Sequence, residues 1–290
     1  MLNDPDIKRK KPRKKSSDYF VVIAFVVLIV VAAPGIAIII RAQQQQQAAN
    51  NIQSATASPG GLAVNRKLIF DDEFNGTSLD TSKWKPCYHS GDCTNSGNNE
   101  LEWYLPENVT ESNGLLQLHA KKQIYNALDG KTYHYTSGMI ASTNFSFTYG
   151  YVEMRARLTA CKGMWSAFWM LPTDGGWPPE IDAQEVLGKD PTTAHMFYHY
   201  GANNTVYGGA WSGPDFSAGW HTFAVDWEPN AITWYVDGVK REQDTNASTI
   251  TNKPMYLLAN LAVGGNWAGP PDATTVSPCA FSIDYIRVYD

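Results

Sequence analysis

The chain has 290 residues, 43% hydrophobic and 12% aromatic, which is ample for a sizeable core and excludes a wholly disordered protein. Its net charge of −5 is uneven: residues 1–18, containing "KRKKPRKK", carry +4, and the remainder carries −9. An acidic body of this kind excludes nucleic acid as an expected partner.

Immediately after the basic segment comes "YFVVIAFVVLIVVAAPGIAIII", residues 19–40, 22 positions without a charge. At about 1.5 Å per residue such a run crosses a hydrocarbon core of about 30 Å. It also exceeds the apolar region of a secretory signal peptide, which is about 7–15 residues. Pro34 and Gly35 permit a kink without forbidding a span. The pattern predicts a basic cytoplasmic tail at 1–18, a single transmembrane signal-anchor helix at 19–41, and a body held outside the cell by the positive-inside rule. Secretion after cleavage is the alternative. Residues 42–65 open on "AQQQQQAANNIQSATASPGG", without aromatic or charged residues, and read as a flexible linker.

An external body is consistent with oxidised cysteines. Cys87 and Cys93 flank "YHSGD" and can close a short disulfide. Cys161 and Cys279 can pair only through the fold, with free buried thiols as the alternative.

From residue 66 to 290 short alternating runs are separated by turn clusters, and no long segment has the 3.6-residue period. In "GYVEMRARL", Val152, Met154, Ala156 and Leu158 share one face, while Tyr151, Glu153, Arg155 and Arg157 share the other. "HTFAVDW", "ITWYVDGVKRE" and "SIDYIRVY" repeat the theme, and Asp237-Gly238 is a hairpin signal. In "MWSAFWML", Trp165 and Trp169 oppose Phe168 and Met170, so one face can be core and the other a cleft wall, or the strand lies buried between two layers. The expected architecture is an all-β antiparallel sandwich with one outer face free to curve around a ligand. Ten Trp and fifteen Tyr suit such a surface, since rings with one polar edge serve wet binding sites as well as cores.

"PPEIDAQEVLG" carries Glu180, Asp182 and Glu185 at intervals of two and three. Period two puts the first pair on one strand face and Glu185 on the other. A β-bulge after Asp182 restores the parity and leaves Glu180 and Glu185 effectively four positions apart, a Cα separation of at most about 13 Å. Their side chains can then approach the roughly 5–5.5 Å used by retaining glycosidases, in which one carboxylate attacks and the other gives and takes the proton. Asp182 between them supports the pair by separating their ionisation. Idle surface acids and a calcium site are the competing readings of the trio alone. A non-catalytic carbohydrate-binding module and a transglycosylase compete as functions.

The same stretch, with "YGYVEMRARLTACKGMWSAFWMLP" before it, resembles the catalytic region of glycoside hydrolase family 16. The likeness extends through "FDDEFNG", "NNELEWYLPENV", "SGMIAS", "HTFAVDWEPNAITWYVDG", "MYLLANLAVGGNWAG" and "DYIRVY", residues 68 to 290. It implies a concanavalin-like β-jelly roll and retention of configuration. Within it Glu180 matches the nucleophile, Asp182 the assisting acid and Glu185 the acid/base. "NNELEWY" and "GGNW" are most similar to the endo-β-1,3-glucanase (laminarinase-like) branch, implying a β-1,3-glucan or mixed β-1,3/1,4-glucan as polysaccharide substrate. Asn98, Trp103, Arg155, Trp165, Trp169, His199 and Trp267 are the implied substrate-binding residues. No cofactor is implied for the chemistry. A structural calcium is, with Glu73, Gly114 and Asp284 at the matching positions. The expected partners are the polysaccharide and, through the N-terminal helix, the membrane, with the body a monomer. Pro179 and Gln184 depart from the pattern of many laminarinase-like members.

Overall fold

The computed structural model describes Ala63 and residues 65–290. The 1–18 tail, the 19–41 helix and nearly all of the 42–65 linker lie outside the described residues; among those described, no helix is long and apolar enough to cross a membrane.

Seventeen strands follow in order: β1 (Leu68–Asp72), β2 (Trp84–Lys85), β3 (Glu102–Tyr104), β4 (Val109–Ser112), β5 (Leu115–Asn126), β6 (Thr132–Ser137), β7 (Met139–Ser142), β8 (Gly150–Arg157), β9 (Met164–Pro172), β10 (Glu180–Leu187), β11 (Thr193–Tyr200), β12 (Thr205–Ser212), β13 (His221–Glu228), β14 (Ala231–Val236), β15 (Val239–Asp244), β16 (Met255–Val263) and β17 (Cys279–Tyr289). They form a jelly-roll sandwich. One sheet runs β15-β14-β13-β8-β17-β5-β6-β3, with β1 on β17 and β4 on β5; the other runs β12-β11-β10-β9-β16-β7-β2. Every pairing between these strands is antiparallel except β3 with β6.

The alternation in the sequence explains the layers. Val152, Met154 and Ala156 of β8, with Phe223, Val225 and Trp227 of β13, point into the core from the first sheet. Phe168 and Met170 of β9, Ile181 of β10 and Leu257 of β16 meet them from the second. The β14–β15 hairpin turns on Asp237 and Gly238, with φ of 52° and 71°, the two left-handed residues of a tight two-residue loop. Both disulfides form: Cys87–Cys93, and Cys161–Cys279, which ties the chain before β9 to the start of β17.

Several strands depart from simple alternation, two of them beside residues singled out in the sequence. β10 shifts register between Asp182 and Gln184 against β9, and between Asp182 and Glu185 against β11, so the expected bulge is present. β17 shifts register between Ile283 and Tyr285 against β8.

Candidate active site

The bulge acts as a parity switch. Glu180 lies opposite His199, Asp182 opposite Phe197 and Glu185 opposite His195, so on β11 the two glutamates stand four positions apart. Ile181, Ala183 and Val186 turn into the core, and all three carboxyls line one cavity of about 550 Å³ on the outer face of the seven-stranded sheet. Gln184 is fully buried and neither end of its amide finds a partner, so the bulge leaves a polar side chain among apolar neighbours. The bulge also interrupts the ladder beside the Asp182 carbonyl, and the Trp234 indole N–H, from β14 of the opposite sheet, donates to that oxygen at 2.8 Å.

The three carboxyls have different surroundings. Glu180, the most exposed, accepts a hydrogen bond from Trp177 Nε1 at 2.9 Å. Burial raises its pKa, while His199 and the hydrogen bonds from Trp177 and Asp182 lower it. Asp182 is held far above the carboxylate range by burial and then by the Glu180 charge. Glu185, 9% exposed, is also pushed well up by burial, then by Asp182 and Glu180, with the Trp165 Nε1–H at 3.1 Å opposing. All three are pushed toward the protonated form, Asp182 and Glu185 more strongly than Glu180, so Glu180 is the member that most readily carries the charge. His199 Nε2 stands 3.5 Å from Asp182 Oδ2 and 3.7 Å from Glu180 Oε1, and its Nδ1 donates to Asn204 Oδ1 at 2.9 Å. Glu180, Asp182 and His199 are the one carboxylate–imidazole cluster among the described residues close enough to hold a metal ion.

Aromatic rings frame the carboxyls. Trp165 and Trp169 stand on β9, as alternation requires, opposite Leu187 and Asp182 of β10. Trp267, in the helical turn Gly265–Ala268 after β16, meets Trp165 edge-on at 5.2 Å and His195 at 4.6 Å. Asn98 joins the same wall from the loop before β3. Glu180, Asp182, Glu185, Asn98, Trp165, Trp169, His199 and Trp267 thus all line one cavity.

Two expected cleft residues are elsewhere. Trp103 is 7% exposed and packs on Tyr133 (5.2 Å) and Tyr125. Its β3 neighbours Glu102 and Tyr104 take the face toward β16, so period two sends Trp103 the other way. Arg155 lies on the outer face of β8, in the other sheet, paired with Asp284 and 5.3 Å from the Trp220 ring. That pairing also bears on the expected calcium. Asp284 is neutralised by Arg155, and Glu73 is held bidentate by Arg287 at 2.6 and 2.9 Å. Both carboxylates are thus engaged by guanidiniums, so a calcium ion there would draw on backbone carbonyls, such as that of Gly114, or displace Arg155 and Arg287.

The sequence reading missed Trp177, Glu100 and Asn260, which line the cavity. Trp177 carried a legible signal, being an indole between Gly and Pro residues three positions before Glu180, and it is 56% exposed.

A jelly-roll sandwich whose outer face holds an aromatic cleft around a carboxyl trio defines a carbohydrate-active β-sandwich. A sequence model of glycosyl hydrolases family 16 matches residues 97–287. The endo-1,3-1,4-beta-glycanase EglC of Rhizobium meliloti is 36% identical over 258 residues, covering 80% of this chain and 54% of the relative. Glucan endo-1,3-beta-glucosidase A1 of Niallia circulans is 37% identical over 258 residues, covering 77% and 37%. The chain thus spans about half or less of the length of these two relatives. The catalytic domain of an endo-1,3-beta-glucanase (laminarinase) from Thermotoga petrophila superimposes with a TM-score of 0.72 at 35% identity, covering 78% of this chain and 98% of that one. The chain belongs to glycosyl hydrolases family 16.

Proposed function

We propose that the protein is a retaining endo-β-glucanase, cleaving internal bonds of a β-1,3-glucan or mixed β-1,3/1,4-glucan by double displacement. The observation that carries this reading is the bulge on β10, which puts Glu180, Asp182 and Glu185 on one cleft face, with Glu185 favouring its protonated form more strongly than Glu180.

Glu180 attacks the anomeric carbon, and its bond to carbon forms as the bond to the leaving oxygen breaks. Glu185 transfers its proton to that oxygen. Glu185, now a carboxylate, then takes a proton from water, which attacks the same carbon and releases Glu180. Asp182 donates its proton in a hydrogen bond to Glu180, holding the nucleophile charged yet oriented. Trp177 serves Glu180 from the other side. Trp165 and Trp169 offer stacking faces to sugar rings. The relatives named above as glucanases support the glucan, and the cleft's aromatic walls support a polymer.

The test is a product profile of residues 62–290 on laminarin, lichenan, agarose and xyloglucan, with proton NMR of the first product. Retained anomeric configuration on a β-glucan is expected; inversion, or binding of all four glycans without cleavage, sinks the reading. We further propose that residues 19–41 anchor this body outside the cell, supported by the 22 uncharged residues behind a +4 flank. Protease added to intact cells should release the body and spare the basic tail.

A further inference from the structure

A second carboxyl pair lies in the same cleft, two strands from β10. Glu100 bridges to Gly264 just past the end of β16 and lines the cavity, and Glu102 stands behind it at the start of β3. Glu102 is completely buried. Its Oε2 accepts from the Val263 amide at 2.7 Å, while its Oε1 has no donor, and among the described residues no cation pairs with it. The Glu100 carboxyl, two positions earlier in the chain, is within hydrogen-bonding reach of that carboxyl, as is the Glu102 backbone amide. Two buried carboxyls in contact share a proton, and the deeper one keeps it. Burial and the Glu100 charge both push Glu102 upward, in the same direction as the geometry. The other titratable groups facing the pair are Tyr88 and Tyr104, both held neutral by burial, and Glu180 across the cleft.

Glu100 is built as an acceptor. Asn98 Nδ2 donates to its Oε1 at 3.1 Å and Tyr104 Oη to its Oε2 at 3.4 Å, and the same carboxyl lines the cavity. The network continues beneath the cleft floor. Tyr104 Oη accepts from Asn260 Nδ2 at 2.9 Å, and Asn260 Oδ1 accepts from the Trp169 indole at 2.8 Å. Trp169 lies opposite Asp182 in the sheet, so the orientation of a stacking ring beside the reacting groups is tied to Glu100.

We propose that Glu100, which lines the cavity, accepts a hydrogen bond from a sugar hydroxyl of the glucan in place of one of its weaker present partners, the Tyr104 hydroxyl at 3.4 Å, and that Glu102 is its positioning residue, donating a hydrogen bond that holds the Glu100 carboxylate toward the cleft. A carboxylate acceptor makes a stronger bond to a sugar hydroxyl than a neutral amide does, and an acceptor fixed from behind loses little freedom on binding. Through Tyr104 and Asn260 the same contact sets where a stacked sugar sits relative to Glu180. This inference rests on the glucanase reading.

The experiment is steady-state kinetics on soluble β-glucan oligosaccharides for wild type, Glu100→Gln, Glu102→Gln and Glu102→Leu. Calorimetric binding follows in a Glu180→Gln background. Glu100→Gln should raise KM at least tenfold with kcat changed less than threefold, and should weaken binding in the inactive background to match. Glu102→Gln, which keeps a donor toward Glu100, should bind at least tenfold more tightly than Glu102→Leu. If Glu102→Leu does not fold, the Glu100→Gln shift decides alone. Wild-type turnover with an unshifted Glu100→Gln KM overturns the inference, as does equal impairment of the two folded Glu102 variants. No wild-type turnover on any β-glucan overturns the functional reading itself.

Discussion

Replacing Glu185 by Ala isolates proton transfer from attack. Its carboxyl is 9% exposed and raised well above the ordinary carboxylate range by burial, with the Asp182 and Glu180 charges adding to the effect, so at neutral pH it is a loaded acid. General acid catalysis is worth about 10²–10⁴ in rate, or roughly 3–5 kcal/mol at 1.36 kcal/mol per tenfold. That full loss should fall on a β-glucan, whose leaving sugar needs the proton. An aryl β-glycoside with an acidic phenol leaves unaided, and its first step should slow by less than about tenfold. With Glu185 gone, the glycosyl enzyme on Glu180 accumulates, and added azide should accelerate turnover and give a β-glycosyl azide. Glu180→Ala should instead give the α-azide, because attack then comes directly on the substrate. Equal losses on both substrates, or an α-azide from Glu185→Ala, would refute the assigned roles. The assay is stopped-flow release of the phenol together with NMR of the azide adduct.

Further outcomes test the surroundings of the site. Trp177→Phe removes the 2.9 Å bond to Glu180 but keeps a ring, and should lower kcat/KM about five- to tenfold, since a partly exposed bond to a charge is worth near 1–1.5 kcal/mol; an unchanged value would show that Trp177 does not orient the nucleophile. Folded Asp182 holds its proton to higher pH than the unfolded chain does, so its contribution to stability is complete below about pH 3.9 and is lost as pH rises through the folded value. Asp182→Asn, neutral throughout, should therefore gain in Tm over wild type as pH rises from about 4 to 8, by about 2–4 °C per kcal/mol relieved, as read by calorimetry. A difference independent of pH would place the proton elsewhere. Opening Cys161–Cys279, with a sequence separation of 118, should cost about 5 kcal/mol, against about 2 kcal/mol for Cys87–Cys93 with its separation of 6, measured by urea unfolding of the double serine variants. The reverse order would mean that denatured-chain entropy does not set their contributions.

The sandwich was legible because period two survives in nearly every long strand. "GYVEMRARL" assigned both faces of β8, and Asp237-Gly238 announced the β14–β15 turn. The bulge was legible through chemistry: three carboxyls at intervals of two and three make sense only if one residue is inserted. What alternation cannot report is which sheet an outward residue belongs to. Arg155 and Trp169 both point away from the core, yet from opposite layers, and only Trp169 reaches the cleft. Trp103 failed for a related reason, since its three-residue strand is too short to carry a readable period. Glu100 and Asn260 escaped notice because single polar residues acquire meaning only when distant strands set them side by side.

The indole bond from Trp234 to the Asp182 carbonyl joins residues 52 positions apart in the chain and comes from the sheet that carries no carboxyl of the trio. A bulge with an unmet buried carbonyl is costly, so the bent form of β10 becomes the favoured one only after the two layers have closed on each other. The geometry of the carboxyl trio therefore depends on contact between the two sheets. The proposed glucanase activity should appear during refolding only as the two sheets dock.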